Sequence, residues 1–419
     1  MSGNGKKGKI LVVGGGIAGI TAAVEASEAG CEVLLVEKNP YVGGRVVQMN
    51  QYFPKLCPPT CGMEINLRRL KANGPIQTMT LAEVEKITGE PGNYHVTIKQ
   101  HPRFVNENCT ACGDCVPVCP VERPNLFNWG MNKTKAVYLP FQQAYPPRFV
   151  IDGEVCEGTS CNKCVEVCKY QAIDLEEKPG TVEADVSAVV FATGWQPYDA
   201  AKIDHLGFGA YPNVITNVMM ERLASANGPT EGKIARPSDG KGIDSIAFVQ
   251  CAGSRDENYL KHCSGVCCSA SLKQATYVRE QYPDAQIYIF YIDRRTPGRL
   301  EDFLAAREED EKISLIKGKV ANIEEDPGTK DLTVEAEDVL GGGRVRQKVG
   351  MVVLATGIVP SEISADLPVE LVRDEHGFLV AEQTQPGLLA AGCAKRPVEV
   401  AASVRDAVGT ALKALQNRV

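Results

Sequence analysis

Two cysteine runs carry the clearest chemistry in this sequence: Cys109-x2-Cys112-x2-Cys115-x3-Cys119-Pro120 and Cys156-x4-Cys161-x2-Cys164-x3-Cys168. Closely spaced thiolates can wrap one face of an iron–sulfur cube, and in two-cluster proteins the fourth cysteine of each run serves the other cube. The expected ligands are Cys109, Cys112, Cys115 and Cys168 for one [4Fe–4S] cluster. Cys156, Cys161, Cys164 and Cys119 serve the second. The second run departs from the pattern, with four residues after Cys156 and Lys169 where a proline would stand. Zinc sites also use Cys-x2-Cys pairs and are the plainer alternative. Four cysteines per run favour iron–sulfur.

A third group is Cys251, Cys263, Cys267 and Cys268, in a loop between an expected strand Ile243–Val249 and helix Ser269–Tyr282. A further strand, Gln286–Ile292, ends at Asp293. This is the start of a βαβ unit, yet the loop has no Gly-x-Gly-x-x-Gly to hold a pyrophosphate. NAD(P)H is therefore not expected as the direct electron donor. The four cysteines read as a third cluster, a redox thiol pair or buried apolar residues; adjacent cysteines point differently and rarely share one cluster. Cys57 and Cys61 form a Cys-x3-Cys pair that reads as a redox disulfide, a source of cluster ligands or packing. Cys31 reads as core.

The chain must also hold what these centres would serve. Ile10–Val13 is an apolar strand that enters Gly14-x-Gly16-x-x-Gly19 and a helix Ile20–Ala29. Gly14 permits the turn, Gly16 lets backbone approach a pyrophosphate, and Gly19 lets helix and strand pack closely. Ile17 and Ala18 sit at the helix N-terminus, whose N–H groups and dipole suit phosphate. A second strand, Cys31–Val36, ends at Glu37 and Lys38, with the carboxylate placed for a ribose. Gly43-Gly44-Arg45 follows, in a position where two-dinucleotide flavoproteins approach FAD. Val189–Gly194 and Val352–Gly357 both end in Ala-Thr-Gly, as Ala192-Thr193-Gly194 and Ala355-Thr356-Gly357. They resemble the strand ends where disulfide-reductase-type flavoproteins cross between domains. Gly387–Gly392 then leads to a helix Val398–Leu415 that includes Val400. Cys393 stands where that class carries Asp, so only the Gly392 backbone is carried over as a cofactor contact.

The expected fold is α/β: a two-dinucleotide-binding-domain flavoprotein, disulfide/thioredoxin reductase-like, with an inserted α+β two-cluster ferredoxin module. The expected units are FAD-binding segments 1–101, 179–240 and 346–419, the ferredoxin module 102–178, and an NAD-domain-like unit 241–345. The module interrupts two strands, Tyr94–Gln100 and Val182–Phe191, by about eighty residues, far more than an ordinary loop.

Composition narrows the setting. The 419 residues are 44% hydrophobic and 23% charged, ordinary for a globular chain of two or three domains. A net charge of −7 gives no reason to expect nucleic acid. Met1–Lys9 is polar, which leaves no room for a signal peptide, and no apolar run approaches a membrane span. Sixteen cysteines then read as metal or redox ligands rather than disulfides.

Gly14–Gly19, the segment 53–62, the cysteine runs and the segment 251–275 together resemble the A subunit of heterodisulfide reductase over nearly the whole chain. Archaeal members of that family are expected to be longer than this chain, and a shorter build is similar to the A subunit of the quinone-interacting membrane-bound oxidoreductase of sulfate reducers. That resemblance implies FAD and iron–sulfur cofactors, and quinol oxidation coupled to adenylylsulfate reductase. It implies two further partners, a haem-containing membrane subunit with a second flavin and iron–sulfur subunit. Through those partners the chain would sit at the inner face of the cytoplasmic membrane. The resemblance also implies the third cluster, and a Lys273 near flavin N5; a surface lysine is the plainer alternative.

Overall fold

The structure, a computed structural model, describes residues 8–53, 56–368, 370–380 and 385–417. The expected polar N-terminus lies largely outside these, as do Pro54 and Lys55 of the 53–62 segment.

A parallel sheet orders the first unit: Leu388–Ala390, Ala188–Phe191, Lys9–Val13, Glu32–Glu37, Ile76–Thr80. Its strands are apolar throughout because both faces are covered. Ile10, Val12, Val33 and Leu35 face the helices Ile17–Glu28 and Val400–Gln416. Leu11, Leu34 and Val36 face the antiparallel strands Ala82–Glu90, Asn93–Gln100 and Gly180–Val186. This alternation is the period of two that a pleated strand imposes. The first helix starts at Ile17, earlier than expected, because Gly16 is extended and acts as its N-cap.

The second unit repeats the plan. Its sheet runs Val214–Thr216, Met351–Thr356, Ser245–Ala252, Gln286–Tyr291, Ile313–Lys317. Helix Cys267–Gln281 covers one face and the three strands spanning 320–349 the other. Both Ala-Thr-Gly segments lead into one antiparallel ribbon, Trp195–Pro197 with Ile358–Pro360, which joins the units.

Residues 102–178 leave and return at adjacent positions: Gln100 pairs with Gly180, and Val105 bridges Ile173. They close on a core of Val105, Val137, Phe149, Ile151 and Ala172 with Cys115 and Cys164. Arg103 fastens this segment to the first unit. Its buried guanidinium donates to the Pro40 carbonyl at 2.5 Å, to Thr80 Oγ1 at 2.8 Å and to the Phe149 carbonyl at 3.3 Å.

Candidate functional site

A cleft of about 1090 Å³ opens along the C-terminal ends of the first sheet. Val13, Gly14, Gly16, Ile17, Ala18, Glu37, Lys38, Gly44 and Arg45 line it, with Ala192, Thr193, Gly194, Lys273 and Val400. The sequence-predicted residues thus converge from five separate segments.

The glycines divide by role. Gly14 has φ +108, and a side chain there would run into the Ala192 carbonyl. A Cβ on Gly19 would strike the Gly14 carbonyl, so Gly19 sets the helix-to-strand distance, outside the cleft lining. A Cβ on Gly16 would meet only the Gly44 Cα, at 3.8 Å; its bareness serves the cleft. Glu37 accepts the Gly15 N–H at 2.6 Å and both N–H groups of Asn39, at 2.8 and 2.6 Å. Burial raises its pKa, and these donors partly offset the rise.

Two expectations are corrected. Gly357 does not line the cleft; it packs where a Cβ would meet Ser254 Oγ and Leu260. Gly392 does not line it either. Its N–H donates to Asp406 Oδ2 at 2.7 Å, so its backbone donor is already engaged. Cys393 lines the cleft in its place.

The interrupting segment builds one wall of the cleft, with Arg123, Asn125, Phe127, Trp129 and Tyr138. Nothing in local sequence pattern marks these residues. Arg45 ties that wall to the interdomain ribbon: its guanidinium lies 4.7 Å from the Trp129 ring centre and 5.9 Å from that of Trp195. It also donates to Gln48 Oε1 at 3.0 Å, to the Trp195 carbonyl and to Gln196. Trp129 Nε1 is buried without a hydrogen-bond partner among the described residues. An orphan donor, a bare glycine cradle and a buried acid suit a dinucleotide such as FAD.

Arg222 was also missed. It is fully buried and donates to Asn128 Oδ1 at 2.9 Å, the Gln48 carbonyl at 3.2 Å and Asn227 Oδ1 at 2.7 Å. Burial lowers its pKa to about 10. Glu399 caps helix Val400–Gln416 facing the cleft, accepting the N–H groups of Ala401 and Ala402 at 2.6 and 2.8 Å.

Lys273 is no surface lysine. It lies on helix Cys267–Gln281, buried, and its Nζ reaches the Gln51 carbonyl at 2.5 Å and Glu221 Oε1 at 3.0 Å.

Among the described residues no cysteine is in a disulfide, and no three His, Cys, Asp or Glu side chains close around a single-ion site. A cube of four irons holds its thiolates farther apart than one ion does. Cys119, Cys156, Cys161 and Cys164 line one small cavity with Val121, Val137 and Ile151. Burial, with a lesser effect of neighbours that include Cys109 and Cys112, pushes the Cys115 thiol up to about 12. Cys156 and Cys168 accept the N–H groups of Gly158 and Ala172, both at 3.4 Å. Cys112 is exposed.

Cys251, Cys263, Cys267 and Cys268 also gather, near enough to perturb one another electrostatically. Burial is the main cause that raises Cys251 to about 11 and Cys267 to about 12. Cys251 sits at φ +58, an uncommon backbone for a residue with a side chain. Cys57 and Cys61 do not line the cleft, and Cys61 is exposed, so they do not form a disulfide facing it.

Comparison with known proteins bears on the fold and on the flavin unit. Residues 9–99 match the family model described as FAD dependent oxidoreductase. The chain is 37% identical over 97% of its length to the A subunit of the H(2):CoB-CoM heterodisulfide,ferredoxin reductase of Methanothermobacter thermautotrophicus, covering 63% of that protein. It is 40% identical, over 97% of its length and 64% of the relative, to an iron-sulfur A subunit of the CoB–CoM heterodisulfide reductase of Methanopyrus kandleri. The chain thus spans under two thirds of the length of these relatives. Among solved structures, the thioredoxin reductase of Lactococcus lactis superposes with TM-score 0.54 at 15% identity, over 98% of this chain and 99% of that one. That of T. acidophilum gives 0.53 at 13% identity, over 97% of each. No helix among the described residues is long and apolar enough to cross a membrane. The chain therefore has a thioredoxin-reductase-like α/β fold with the flavin unit of an FAD-dependent oxidoreductase, and its homologues are the A subunits of heterodisulfide reductases.

Proposed function

We propose that this chain is an electron-transfer subunit that carries FAD and at least two [4Fe–4S] clusters within a larger complex. The observation that carries the reading is the meeting of Cys119 with Cys156, Cys161 and Cys164 at one cavity, the interleaved ligand set of a two-cluster module. Residues 102–178 form that module, inserted between paired strand ends of the flavin unit. The set Cys251, Cys263, Cys267 and Cys268 holds a third cluster in the unit that lacks nicotinamide glycines.

FAD, when bound, supplies the exchange between electron pairs and single electrons. Gly14, Gly16 and Gly44 bring backbone to its pyrophosphate, and Glu37 accepts from its ribose. Lys273 places a buried positive charge on the cleft wall, favouring added negative charge there. Gly357 and Gly392 act by spacing the chain.

In the finer reading the complex couples the quinone pool to adenylylsulfate reductase in sulfate reduction. Its other members are a haem-containing membrane subunit with a second flavin and iron–sulfur subunit, which hold this chain at the cytoplasmic face. The second reading, a cytoplasmic heterodisulfide reductase-type complex, is favoured by the identity to the archaeal relatives. Anaerobic purification should give about twelve irons per flavin with three clusters, or about eight with two. An iron-free flavoprotein would end the relay reading. Bleaching of flavin absorption by quinol plus membrane partners, or by a thiol pair plus soluble ones, separates the two complexes.

A further inference from the structure

One short strand, Val137–Tyr138, separates the flavin cleft from the cysteine cavity. Adjacent residues of a strand point to opposite faces. Val137 is buried against the cavity that Cys119, Cys156, Cys161 and Cys164 line. Tyr138 lines the cleft. The segment after Cys119 makes the same crossing: Val121 lines the cavity and Arg123 the cleft. Arg123 closes the partition, with its guanidinium 4.8 Å from the Tyr138 ring centre and 2.9 Å from Asp152.

The other cysteine set is placed differently. No cysteine of either set lines the cleft, and none of Cys109, Cys112, Cys115 and Cys168 lines the cavity behind Val137. Cys112 is exposed, beside a surface pair of Lys169 and Asp114 at 3.2 Å. Cys109 of this set lies within electrostatic reach of Arg103. The Arg103 guanidinium donates to the carbonyls of Pro40, Arg148 and Phe149 and to Thr80 Oγ1, tying this part of the segment to the first unit.

Resting on the flavin and iron–sulfur reading above, we propose an order for the two centres. Cys119, Cys156, Cys161 and Cys164 hold the flavin-side centre, facing the cleft across Val137 and Tyr138. Cys109, Cys112, Cys115 and Cys168 hold the outward centre, which meets protein partners. Tyr138 on the cleft side and Val137 on the cavity side together form the partition between the two compartments.

The test uses the full chain with 3-fluorotyrosine, followed by fluorine NMR, so no turnover is needed. Tyr138→Phe and Tyr170→Phe assign two resonances; Tyr170 is exposed beside Lys169. A paramagnetic cluster broadens a nearby resonance, and the effect falls steeply with distance. In the iron-loaded chain the Tyr138 line is expected to vanish. Cys161→Ser should restore it, while Cys112→Ser should leave it lost and restore Tyr170 instead. Cys156→Ser and Cys168→Ser are the second pair if either variant fails to fold. The Tyr138 line should also shift when FAD is added to the iron-free chain. Restoration of Tyr138 by Cys112→Ser and not by Cys161→Ser overturns the order, and so does a Tyr138 line indifferent to FAD. Wild-type chain that takes up no iron overturns the cluster reading itself, a result visible in the iron assay before any spectrum is taken.

Discussion

Lys273 Nζ and Glu221 Oε1 stand 3.0 Å apart with both side chains buried at the cleft wall. Glu221 also accepts from Gln274 Nε2 at 2.8 Å, the Asn50 N–H at 3.0 Å and the Tyr277 hydroxyl at 3.3 Å. Such a pair is held by mutual need: removing one charge strands the other in a dry site. Lys273→Met should cost about 3–5 kcal/mol in urea denaturation of the flavin-free chain. Adding Glu221→Gln should recover most of that. Lys273→Met should also lower the flavin midpoint potential, since a cation at the cleft no longer favours the reduced anion. Equal stability of the single and double variants would show that the pair does not act as a unit.

Gly16 and Gly19 make opposite predictions. Gly19→Ala drives a methyl into the Gly14 carbonyl and separates helix from strand. It should destabilise the fold by several kcal/mol, about 4 or more, as strained backbone contacts in a core do. Gly16→Ala meets only Gly44 at 3.8 Å, so its melting temperature should stay within about 3 °C of the parent. Its flavin content should nonetheless fall at least about tenfold, a loss of roughly 1.4 kcal/mol in binding. Calorimetry of the flavin-free proteins and flavin titration separate the two effects.

The glycine fingerprint, Glu37 and the first Ala-Thr-Gly end could be placed together from sequence because each is a local device whose residue types and spacing carry the chemistry, whereas the second Ala-Thr-Gly end lies away from the cleft. Gly14, Gly16, Glu37 and Thr193 accordingly share one cavity. The wall of Arg123, Phe127, Trp129 and Tyr138 was not legible. It depends on where a long segment docks, and no periodicity encodes docking. Gly392 misled for a related reason: its N–H has a partner, Asp406, fourteen residues away on a helix. Lys273 was equally ambiguous in sequence, since a helix face reads as solvated until its neighbours are known.

His95 gives the pH dependence of the strands from which residues 102–178 depart. Its Nδ1 lies 2.8 Å from Asp185 Oδ1 and its Nε2 2.9 Å from Glu183 Oε2. The hydrogen bond to Asp185, with the nearby carboxylate charges, raises the imidazole pKa above its ordinary 6.5. A raised histidine binds its proton more tightly when folded. Its contribution is therefore complete below about pH 6.5 and disappears as pH rises through the folded value. His95→Gln should flatten stability between about pH 6 and 8, the range over which the imidazole titrates. The ring is exposed, so added salt should shrink the difference. A pH slope unchanged by the substitution would assign the dependence elsewhere.

Arg45 should matter more for its shape than for its charge. It lies over both tryptophans of the chain and donates to Gln48, to the Trp195 carbonyl and to Gln196. A planar guanidinium can stack and donate sideways at once, whereas an ammonium cannot. Arg45→Lys keeps the charge and should still lose about 1–2 kcal/mol, the worth of a desolvated cation–π contact with its side bonds. The loss should be felt at the cleft, because Arg45 joins the wall carrying Trp129 to the ribbon carrying Trp195. Flavin affinity should fall about tenfold. Since both tryptophans line the cleft, flavin binding should quench their emission in the parent. In Arg45→Lys the flavin-free emission should move to longer wavelength as Trp129 gains water. If affinity and emission both match the parent, the clasp does not organise the cleft, and the wall is held by Arg222 through Asn128 instead.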